Sequence, residues 1–239
     1  MTRHENSGGG SRGRDDFPPF LWPPYEATEN RSPRREQVPP PPDMRALLGP
    51  AAHHGFDLPD DSDLTTNAGT GSPPLGEKIV VEGAVLTEDG VPIPGALVEI
   101  WQANAAGRYT HKRDQHEAPL DPNFTGVGHC TTASDGSFRF VTITPGAYPV
   151  PETGIWRPRH IHFSVIGSRW ASRLITQLYF PGDPLHERDP IFMSVPERAR
   201  KRLIAEYEPE MNIPDEALGY RYNIVLAESG DGLEEWVAS

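Results

Sequence analysis

The sequence predicts a mainly β protein with a β-sandwich core, few short helices and an extended, proline-rich N-terminal arm. From about Lys78 onwards, short runs of alternating β-branched and aromatic residues recur, and this alternation is typical of strands with one buried face. Clusters of Gly, Pro and Asp separate the runs, as expected where strands are joined by turns. Before Lys78 the chain holds stretches rich in proline, which lacks a backbone N–H and disfavours both helix and central strand.

Six strands and one longer helix are predicted from these signals. In chain order the strands are KIVVEGAVLT (78–87), ALVEIWQAN (96–104), SFRFVTI (137–143), HIHFSVIG (160–167), RLITQLYF (173–180) and YRYNIVLA (220–227). The helix is predicted from about Ser194 to Tyr207, because Ser194 and Glu197 have the spacing of a capping box and Pro196 falls in the first turn. The apolar residues of its second half share one face.

The chain is expected to divide into three parts. Residues 1–16 are expected to be disordered, as chain termini often are. Residues 17–77 are expected to form an extended arm and a connecting segment, because solvated linkers seldom carry so many aromatic side chains. Residues 78–239 are expected to form the β-sandwich domain that carries the candidate site.

Composition and charge narrow the possible functions. The formal net charge is −12, so the surface would repel phosphate, and nucleic acid is not an expected partner. No apolar run approaches the roughly 20 residues of a membrane helix, and the N-terminus lacks the apolar core of a secretory signal. The single cysteine, Cys130, excludes an intrachain disulfide framework and suits a reducing compartment such as the cytoplasm.

Two histidines one residue apart, His160 and His162, stand in the stretch WRPRHIHFSV. In a strand, residues i and i+2 point to the same face, so the two imidazoles are predicted to lie side by side at a spacing that a metal can bridge. On its own such a pair is more often hydrogen-bonded than metal-bound. A cupin-type site is disfavoured because no acidic residue follows in FSVIGSRW, and no other histidine stands at a spacing diagnostic of zinc.

Two tyrosines occupy turn-rich stretches upstream of the histidines. Tyr109 follows a glycine turn in NAAGRYTHK, and Tyr148 stands in ITPGAYPVP. Proline after Tyr148 biases this residue towards an extended backbone, which sets the direction of its ring. Taken alone, each tyrosine is interpreted as an ordinary rim or core aromatic.

Five blocks in the same order give a much more specific resemblance. They are EIWQANAAGRYTHK, APLDPNFTGVGHCTTASDGSFRF, ITPGAYP, WRPRHIHFSV and LITQLYFPGDP. Together they resemble the intradiol ring-cleaving dioxygenases over about residues 25–227. Within that family the sequence is most similar to the members that consist of two kinds of chain and act on protocatechuate. The resemblance implies a transthyretin-like (prealbumin-like) β-sandwich.

The resemblance also implies a non-haem ferric iron, Fe(III), held by Tyr109, Tyr148, His160 and His162. Anionic oxygen ligands suit this hard cation, and a strong Lewis acid can keep phenols of reference pKa about 10 deprotonated. Two phenolates and one hydroxide balance the charge of the iron. A catecholate dianion that displaces the hydroxide and one tyrosinate keeps the site neutral, which avoids a buried unpaired charge. Tyr148 is the expected displaceable ligand and base, and Tyr109 the permanent ligand.

By the same resemblance, Arg157 is expected to stabilise negative charge on the substrate, and Gln177 to order the pocket. The residues expected to line the substrate pocket are Tyr25, Val150 and Ile191. Val150 stands where the family commonly carries tryptophan, which leaves the substitution pattern of the catechol open. Arg159 stands where alanine is common and is expected to point away from the iron face, as a surface or subunit-contact charge.

The implied reaction is cleavage of protocatechuate with O2 to 3-carboxy-cis,cis-muconate, in the β-ketoadipate pathway of aromatic compound degradation, and the implied partner is an α subunit in a hetero-oligomer. One alternative is an intradiol enzyme for another catechol (catechol, hydroxyquinol or sulfocatechol). Another is a metal-free transthyretin-like binding module, whose pattern the stretches GAVLTEDGVPIPGALVEIWQ and TTASDGSFRFVTITPGAY also fit. A non-catalytic partner subunit is disfavoured, because all four ligand positions are filled.

Overall fold

The structure, a computed structural model, describes residues 18–32, 34–35, 58–112, 114–150, 153–167 and 173–226. Residues 1–16, which are predicted to be disordered, lie outside the described residues. The strands are β1 Lys78–Thr87, β2 Leu97–Trp101, β3 Val127–Thr131, β4 Ser137–Ile143, β5 Tyr148–Pro149, β6 Trp156–Arg157, β7 His160–Ile166, β8 Arg173–Tyr179, β9 Glu206–Tyr207, β10 Leu218–Arg221 and β11 Ile224–Leu226. The α-helices are α1 Ala27–Arg31, α2 Pro190–Ser194 and α3 Glu197–Arg200, and 3-10 turns span His186–Arg188, Lys201–Leu203 and Pro209–Met211.

Two sheets form the body of the protein. In the first, β1 pairs on one side with antiparallel β4 and on the other with parallel β10 and then parallel β11, and β9 extends this sheet from β10. The second sheet has the order β3-β2-β7-β8 and is antiparallel throughout. A separate two-stranded ribbon joins β5 to β6. The predicted mainly β sandwich is confirmed, and its sheets are not closed into a barrel.

The hydrophobic core lies between the two sheets. Ile161 and Phe163 of β7 are fully buried, and the centroid of the Phe163 ring lies 5.9 Å from that of Phe138 and 6.3 Å from that of Phe140 in β4. Burial of each such side chain stabilises the fold by about 1.5–3 kcal/mol. Leu64 belongs to the same core, so the segment before β1 packs into the sandwich.

The predicted strands are found in the structure, with two differences. The stretch 220–227, predicted as one strand, forms the end of β10 and then β11, with a break at Tyr222. There the main chain passes so close to Gly83 of β1 that a Cβ at this glycine would lie 1.8 Å from the Tyr222 carbonyl oxygen. The sequence does not predict β3, because Gly128 and His129 interrupt its apolar pattern.

The helix predicted from about Ser194 to Tyr207 is only partly confirmed, because after Val195 the helical residues are limited to α3 and the 3-10 turn Lys201–Leu203. Ser194 ends α2, and its hydroxyl donates to the carbonyl oxygen of Ile191 (2.6 Å), so it caps no following helix. A residue that precedes proline avoids helical backbone angles, and Val195, with ψ 132°, accordingly separates α2 from α3. Tyr207 lies in β9.

In the residues of the arm that the structure describes there is one short helix, α1, which the proline content does not predict. This helix occupies the proline-free stretch ATENR. The turn before it is closed by Thr28, whose side-chain oxygen accepts from the N–H of Trp22 (2.9 Å). No helix in the described part of the chain is long and apolar enough to cross a membrane.

Candidate metal centre

The alternation of β7 places the two histidines on the outer face of the second sheet. Ile161 and Phe163 point into the core, so His160 and His162 point the other way. Their ring centroids lie 4.9 Å apart. The side-by-side arrangement that the spacing of the two histidines predicts is therefore found in the structure.

The neighbouring strands bring further side chains to the same face. His162 pairs with Trp101 of β2 and with Gln177 of β8, and His160 pairs with Tyr179. The Trp101 indole stacks on the His162 ring, with centroids 4.7 Å apart and planes 7° from parallel. This packing holds the plane of the His162 imidazole.

Tyr109 is carried by a loop between β2 and β3 that folds around the buried Asn104. The side-chain oxygen of Asn104 accepts from the N–H groups of Ala106 (3.0 Å) and Arg108 (2.9 Å). The N–H of Tyr109 donates to Asp114 Oδ2 (2.7 Å). Asn104 therefore sets the turn, and Asp114 fixes the backbone at the tyrosine itself.

A close main-chain contact joins this loop to the segment just before β5, the strand that carries Tyr148. The N–H of Gly146 donates to the carbonyl oxygen of Asn104, at the start of the loop that carries Tyr109 (2.9 Å). Gly107 has φ 80°, and a Cβ there would lie 2.2 Å from the Ala147 carbonyl oxygen, so the approach requires glycine. The rings of Tyr109 and Tyr148 consequently meet edge to face, with centroids 5.3 Å apart.

The β5–β6 ribbon presents Tyr148 and Arg157 together. The two residues are partners across the ribbon, and partners in an antiparallel pair project to the same face. Arg157 Nη1 donates to Tyr148 Oη (3.2 Å) and lies 3.0 Å from His160 Nε2. The ribbon thus places the phenol of Tyr148 and the guanidinium of Arg157 next to His160.

The structure brings all four predicted metal ligands together. Tyr109 Oη lies 3.2 Å from His162 Nε2, and Tyr148 Oη lies 3.4 Å from His160 Nε2. His160 Nδ1 lies 2.7 Å from the carbonyl oxygen of Pro158. Because a carbonyl oxygen only accepts, Nδ1 carries the proton and donates, and Nε2 keeps its lone pair on the side of Tyr148.

Burial sets the protonation of these groups. Burial first, and then the charge of Arg157, lower the pKa of His162 to about 3. The same causes hold the pKa of His160 well below its ordinary value, so both imidazoles are neutral at pH 7, the form that binds metals. Burial, followed by the neighbouring Tyr148, raises the pKa of Tyr109 well above its ordinary value. A phenolate at Tyr109 therefore needs a strong Lewis acid beside it.

A buried network next to the histidines holds Arg157. Its Nε and Nη2 donate to Asp189 Oδ1 (3.2 Å) and Oδ2 (2.8 Å), and both side chains are buried. Nη2 also donates to Gln177 Oε1 (2.7 Å) and to Tyr179 Oη (3.1 Å), and Gln177 Nε2 lies 3.3 Å from His162 Nδ1. Arg157 and Gln177, both predicted from the sequence, thus contact the cluster.

Sequence reasoning missed Trp101, Tyr179 and Asp189. The period of two along a strand could have found Tyr179, which stands two residues after Gln177 in β8. Asp189 precedes Pro190, a pattern typical of a helix N-terminus. That pattern predicts a cap and gives no sign of an arginine partner.

The other residues predicted to line a pocket are placed by local structure. Val150 follows β5 and is half-buried. Ile191 lies in the first turn of α2, where its N–H donates to Asp189 Oδ1 (3.1 Å). Tyr25 lies in the arm, in the turn before α1. Contact of these three residues with a substrate stays a prediction.

Arg159 forms an ion pair away from the cluster. Its backbone N–H and its Nε donate to Asp183 Oδ2 (3.1 and 3.4 Å). Its guanidinium lies 5.7 Å from the centroid of the Phe180 ring, and its side chain is 41% exposed. These contacts fit the prediction of a surface charge.

The donor set fits a hard, trivalent cation. No group of three or more His, Cys, Asp or Glu side chains among the described residues could hold a metal ion, so a site of the zinc or carboxylate type is not formed there. The cluster offers two neutral imidazoles and two phenols instead. Phenolate oxygens are the ligands that ferric iron prefers over thiolates.

Comparisons with known proteins show the family to which the chain belongs. Residues 48–228 match a family model described as Dioxygenase. A β-sandwich that brings two tyrosines and two histidines together is expected of ring-cleaving dioxygenases of the intradiol class, and the chain belongs to this family. It is 51% identical to the protocatechuate 3,4-dioxygenase beta chain of Burkholderia cepacia, over 87% of this chain and 89% of that protein. Membership of an enzyme family disfavours the metal-free binding module.

The chain is also similar to more distant relatives and to solved structures of dioxygenases. The chain is 28% identical to hydroxyquinol 1,2-dioxygenase of Rhizobium sp. (strain MTP-10005), over 68% of this chain and 54% of that protein, and therefore spans little more than half of that relative. Among solved structures it is similar to the dioxygenase domain of a carbohydrate-binding fusion protein from Streptomyces sp. SirexAA-E, with a TM-score of 0.52, 27% identity, and coverage of 82% of this chain and 99% of that chain. It is also similar to catechol 1,2-dioxygenase from Acinetobacter sp. ADP1, with a TM-score of 0.52, 26% identity, and coverage of 71% of this chain and 57% of that chain.

Proposed function

We propose that this chain is the iron-binding subunit of an enzyme that cleaves protocatechuate with O2, between the two hydroxyl-bearing carbons, to 3-carboxy-cis,cis-muconate. The observation that carries the proposal is the convergence of Tyr109, Tyr148, His160 and His162 on one place, where His160 is buried and the other three are half-buried. The substrate is proposed from the relative that is 51% identical and is named for protocatechuate. The reaction would belong to the β-ketoadipate pathway of aromatic compound degradation.

A non-haem ferric ion bound by these four side chains would supply a Lewis acid that keeps phenols ionised and activates a chelated catecholate towards O2. The residues of the chain prepare the site for it. His160 directs the lone pair of Nε2 inwards because its Nδ1 donates to Pro158. Stacking on Trp101 holds the ring of His162.

The two tyrosines have different supports, which suits different roles. The backbone of Tyr109 is tied to Asp114 and lies in a loop set by Asn104, so Tyr109 would be the permanent ligand of a bound ferric ion. Tyr148 lies in a two-residue strand, and its Oη accepts from Arg157. Tyr148 would be the ligand that the substrate displaces, and its oxygen would take a proton from the catechol.

Arg157 supplies fixed positive charge at the reacting end of the site. Its Nη1 faces the place where Tyr148 Oη and His160 Nε2 meet. Negative charge that develops on the substrate there is stabilised by a guanidinium that is already oriented and needs no reorganisation. Gln177 contributes by holding both Arg157 and His162.

The proposed partner is an α subunit, because the 51% identical relative is named as a beta chain. A hetero-oligomer in the cytoplasm is the assembly that we propose. The proline-rich arm, with Phe20 and Leu21 largely exposed, suits contact with another chain.

Oxygen uptake and product analysis with a panel of catechols test the proposal. The iron-loaded chain, alone and with a co-expressed α subunit, is incubated with protocatechuate, catechol, hydroxyquinol and 4-sulfocatechol. We expect fastest O2 uptake with protocatechuate and 3-carboxy-cis,cis-muconate as product. A faster rate with another catechol would mean that this catechol, and not protocatechuate, is the preferred substrate. Val150, which stands where the family commonly carries tryptophan, would then be the first residue to test as the cause. No O2 uptake with any catechol would contradict the function.

A further inference from the structure

We propose that Asp189 is a positioning residue for Arg157, fixing the guanidinium so that Nη1 is the nitrogen that faces the tyrosine–histidine cluster. The inference rests on the proposed function, in which Arg157 stabilises negative charge on the substrate. It adds a buried carboxylate, on a different segment of the chain, to the residues on which turnover depends.

The carboxylate of Asp189 forms a bidentate pair with one edge of the Arg157 guanidinium. Nε donates to Oδ1 (3.2 Å) and Nη2 donates to Oδ2 (2.8 Å), and this bidentate geometry makes arginine–carboxylate pairs directional. Nη2 has a second proton, and Gln177 Oε1 (2.7 Å) and Tyr179 Oη (3.1 Å) accept on that side. Two of the three guanidinium nitrogens are therefore committed to the network.

The third nitrogen is the one left for the site. Nη1 lies 3.2 Å from Tyr148 Oη and 3.0 Å from His160 Nε2. Turning the guanidinium to present another nitrogen would break both bonds to Asp189. The carboxylate consequently determines which N–H groups of Arg157 reach the reacting end of the site.

The buried positive charge of Arg157 requires a negative partner, and Asp189 provides it. Asp189 is 0% and Arg157 4% exposed, and a buried guanidinium without a counter-charge is strongly unfavourable. Arginine stays charged in proteins, so Asp189 supplies the counter-charge that keeps the buried guanidinium in place.

The same carboxylate also fixes the start of α2. Asp189 is the N-cap of this helix, and its Oδ1 accepts from the N–H of Ile191 (3.1 Å). Tyr179 Oη lies 2.9 Å from Asp189 Oδ2 and ties the carboxylate to β8. One side chain thus links the guanidinium to Ile191, which is predicted to line the pocket.

The test uses two matched substitutions. Asp189→Asn keeps the shape and the helix cap, since asparagine caps as well as aspartate, but it removes the charge and one acceptor. Asp183→Asn is the control. Asp183 is also buried, accepts from the N–H of Leu185 (3.0 Å) and pairs with an arginine, Arg159, whose contacts lie outside the cluster.

The kinetic readout is a double-mutant cycle with Arg157→Gln. Asp189→Asn is expected to lower kcat for protocatechuate by about 10- to 100-fold with less change in KM, but by less than about twofold when Arg157→Gln is already present. Asp183→Asn is expected to change kcat by less than about twofold in both backgrounds. Equal losses from Asp189→Asn in both backgrounds would mean a merely structural role and would overturn the inference.

A second readout does not depend on iron or turnover. In the metal-free protein, the Nε–H of Arg157, assigned from its loss in Arg157→Gln, is expected to exchange slowly with solvent in NMR spectra. Exchange is expected to quicken in Asp189→Asn and to stay unchanged in Asp183→Asn, and an unaffected rate in Asp189→Asn would overturn the inference. Should Asp189→Asn not fold, Tyr179→Phe, which removes only the bridging hydroxyl, is expected to give the same pattern with smaller changes. Absence of turnover with every catechol would contradict the proposed function, and the exchange measurement would still decide the role of Asp189.

Discussion

The rings of Tyr109 and Tyr148 meet edge to face, with centroids 5.3 Å apart and planes at 86°. Tyr109 belongs to a loop and Tyr148 to strand β5, and the main chain of Gly107 against that of Ala147 sets how closely these two segments approach. The pairing of two phenols, which is the least common feature of the site, therefore depends on a glycine that has no chemical role.

Replacing Gly107 by alanine is expected to remove iron from the purified protein. The added Cβ would lie 2.2 Å from the Ala147 carbonyl oxygen, so the two segments must separate and the tyrosines with them. Gly90→Ala is a matched control, because Gly90 has nearly the same φ (79° against 80°) and nothing within 4 Å of the added Cβ. Both variants carry the strain of alanine at positive φ, about 1 kcal/mol, so they differ only in the steric contact at Gly107. Iron is expected to be lost from Gly107→Ala and retained by Gly90→Ala. Equal iron in the two would refute the role of the loop contact.

Tyr109→Phe is expected to lose most of its iron and its visible colour. The phenolate of Tyr109 is the permanent anionic ligand in the proposed site, and phenylalanine offers no donor atom. Tyr207→Phe, at a partly exposed tyrosine of β9, should retain both. Metal analysis and absorption spectra check the pair, and a Tyr109→Phe variant with unchanged colour would show that this phenol is not a ligand.

Tyr148→Phe is expected to keep iron while binding substrate more slowly. Removing the displaceable ligand leaves three donors, but it takes away the base that accepts a catechol proton, which typically costs about 100-fold or more. Stopped-flow mixing with protocatechuate in the absence of oxygen measures the step. Normal binding kinetics in this variant would refute the role of Tyr148 as base.

The metal-free protein is expected to lose stability as the pH falls below about 6.5. Burial and the charge of Arg157 lower the pKa of His162 to about 3 in the folded chain, whereas an unfolded histidine has a pKa of about 6.5. Between these two pKa values the unfolded chain binds more protons than the folded chain. The free energy of unfolding is therefore highest above the pKa of the unfolded histidine and falls as the pH approaches the pKa of His162 in the folded chain. The loss is about 1.4 kcal/mol for each unit of pKa difference.

Denaturant unfolding of metal-free protein across this pH range measures the effect. The His162→Gln variant lacks the titrating group, so its free energy of unfolding is expected to fall less than that of the unsubstituted protein over the same range. Identical pH dependence in the two proteins would contradict the assignment to His162.

Local rules predicted much of the fold and one half of the site. The period of two in β7 is enough to place His160 and His162 on one face, because strand geometry is set by nearest neighbours along the chain. The helix prediction failed at Val195 for an equally local reason, since the residue before a proline avoids helical angles.

The other half of the site depends on contacts that no local pattern contains. Tyr109 lies in a loop and Tyr148 in a strand of only two residues, and only the blocks shared with a known family singled them out. Asp189 has the appearance of a helix cap. Its pairing with Arg157 arises because the segment after β8 folds back onto the β5–β6 ribbon, a long-range event that sequence spacing does not encode.

Iron analysis with a visible spectrum shows whether two phenols and two imidazoles hold one ferric ion. The spectrum is recorded on the purified protein before and after protocatechuate is added without oxygen. We expect about one iron per chain, a broad tyrosinate-to-iron charge-transfer band that makes the protein wine-red, and a change in that band when the catechol binds. A colourless protein replete with iron, or one that carries zinc in place of iron, would contradict this set of ligands.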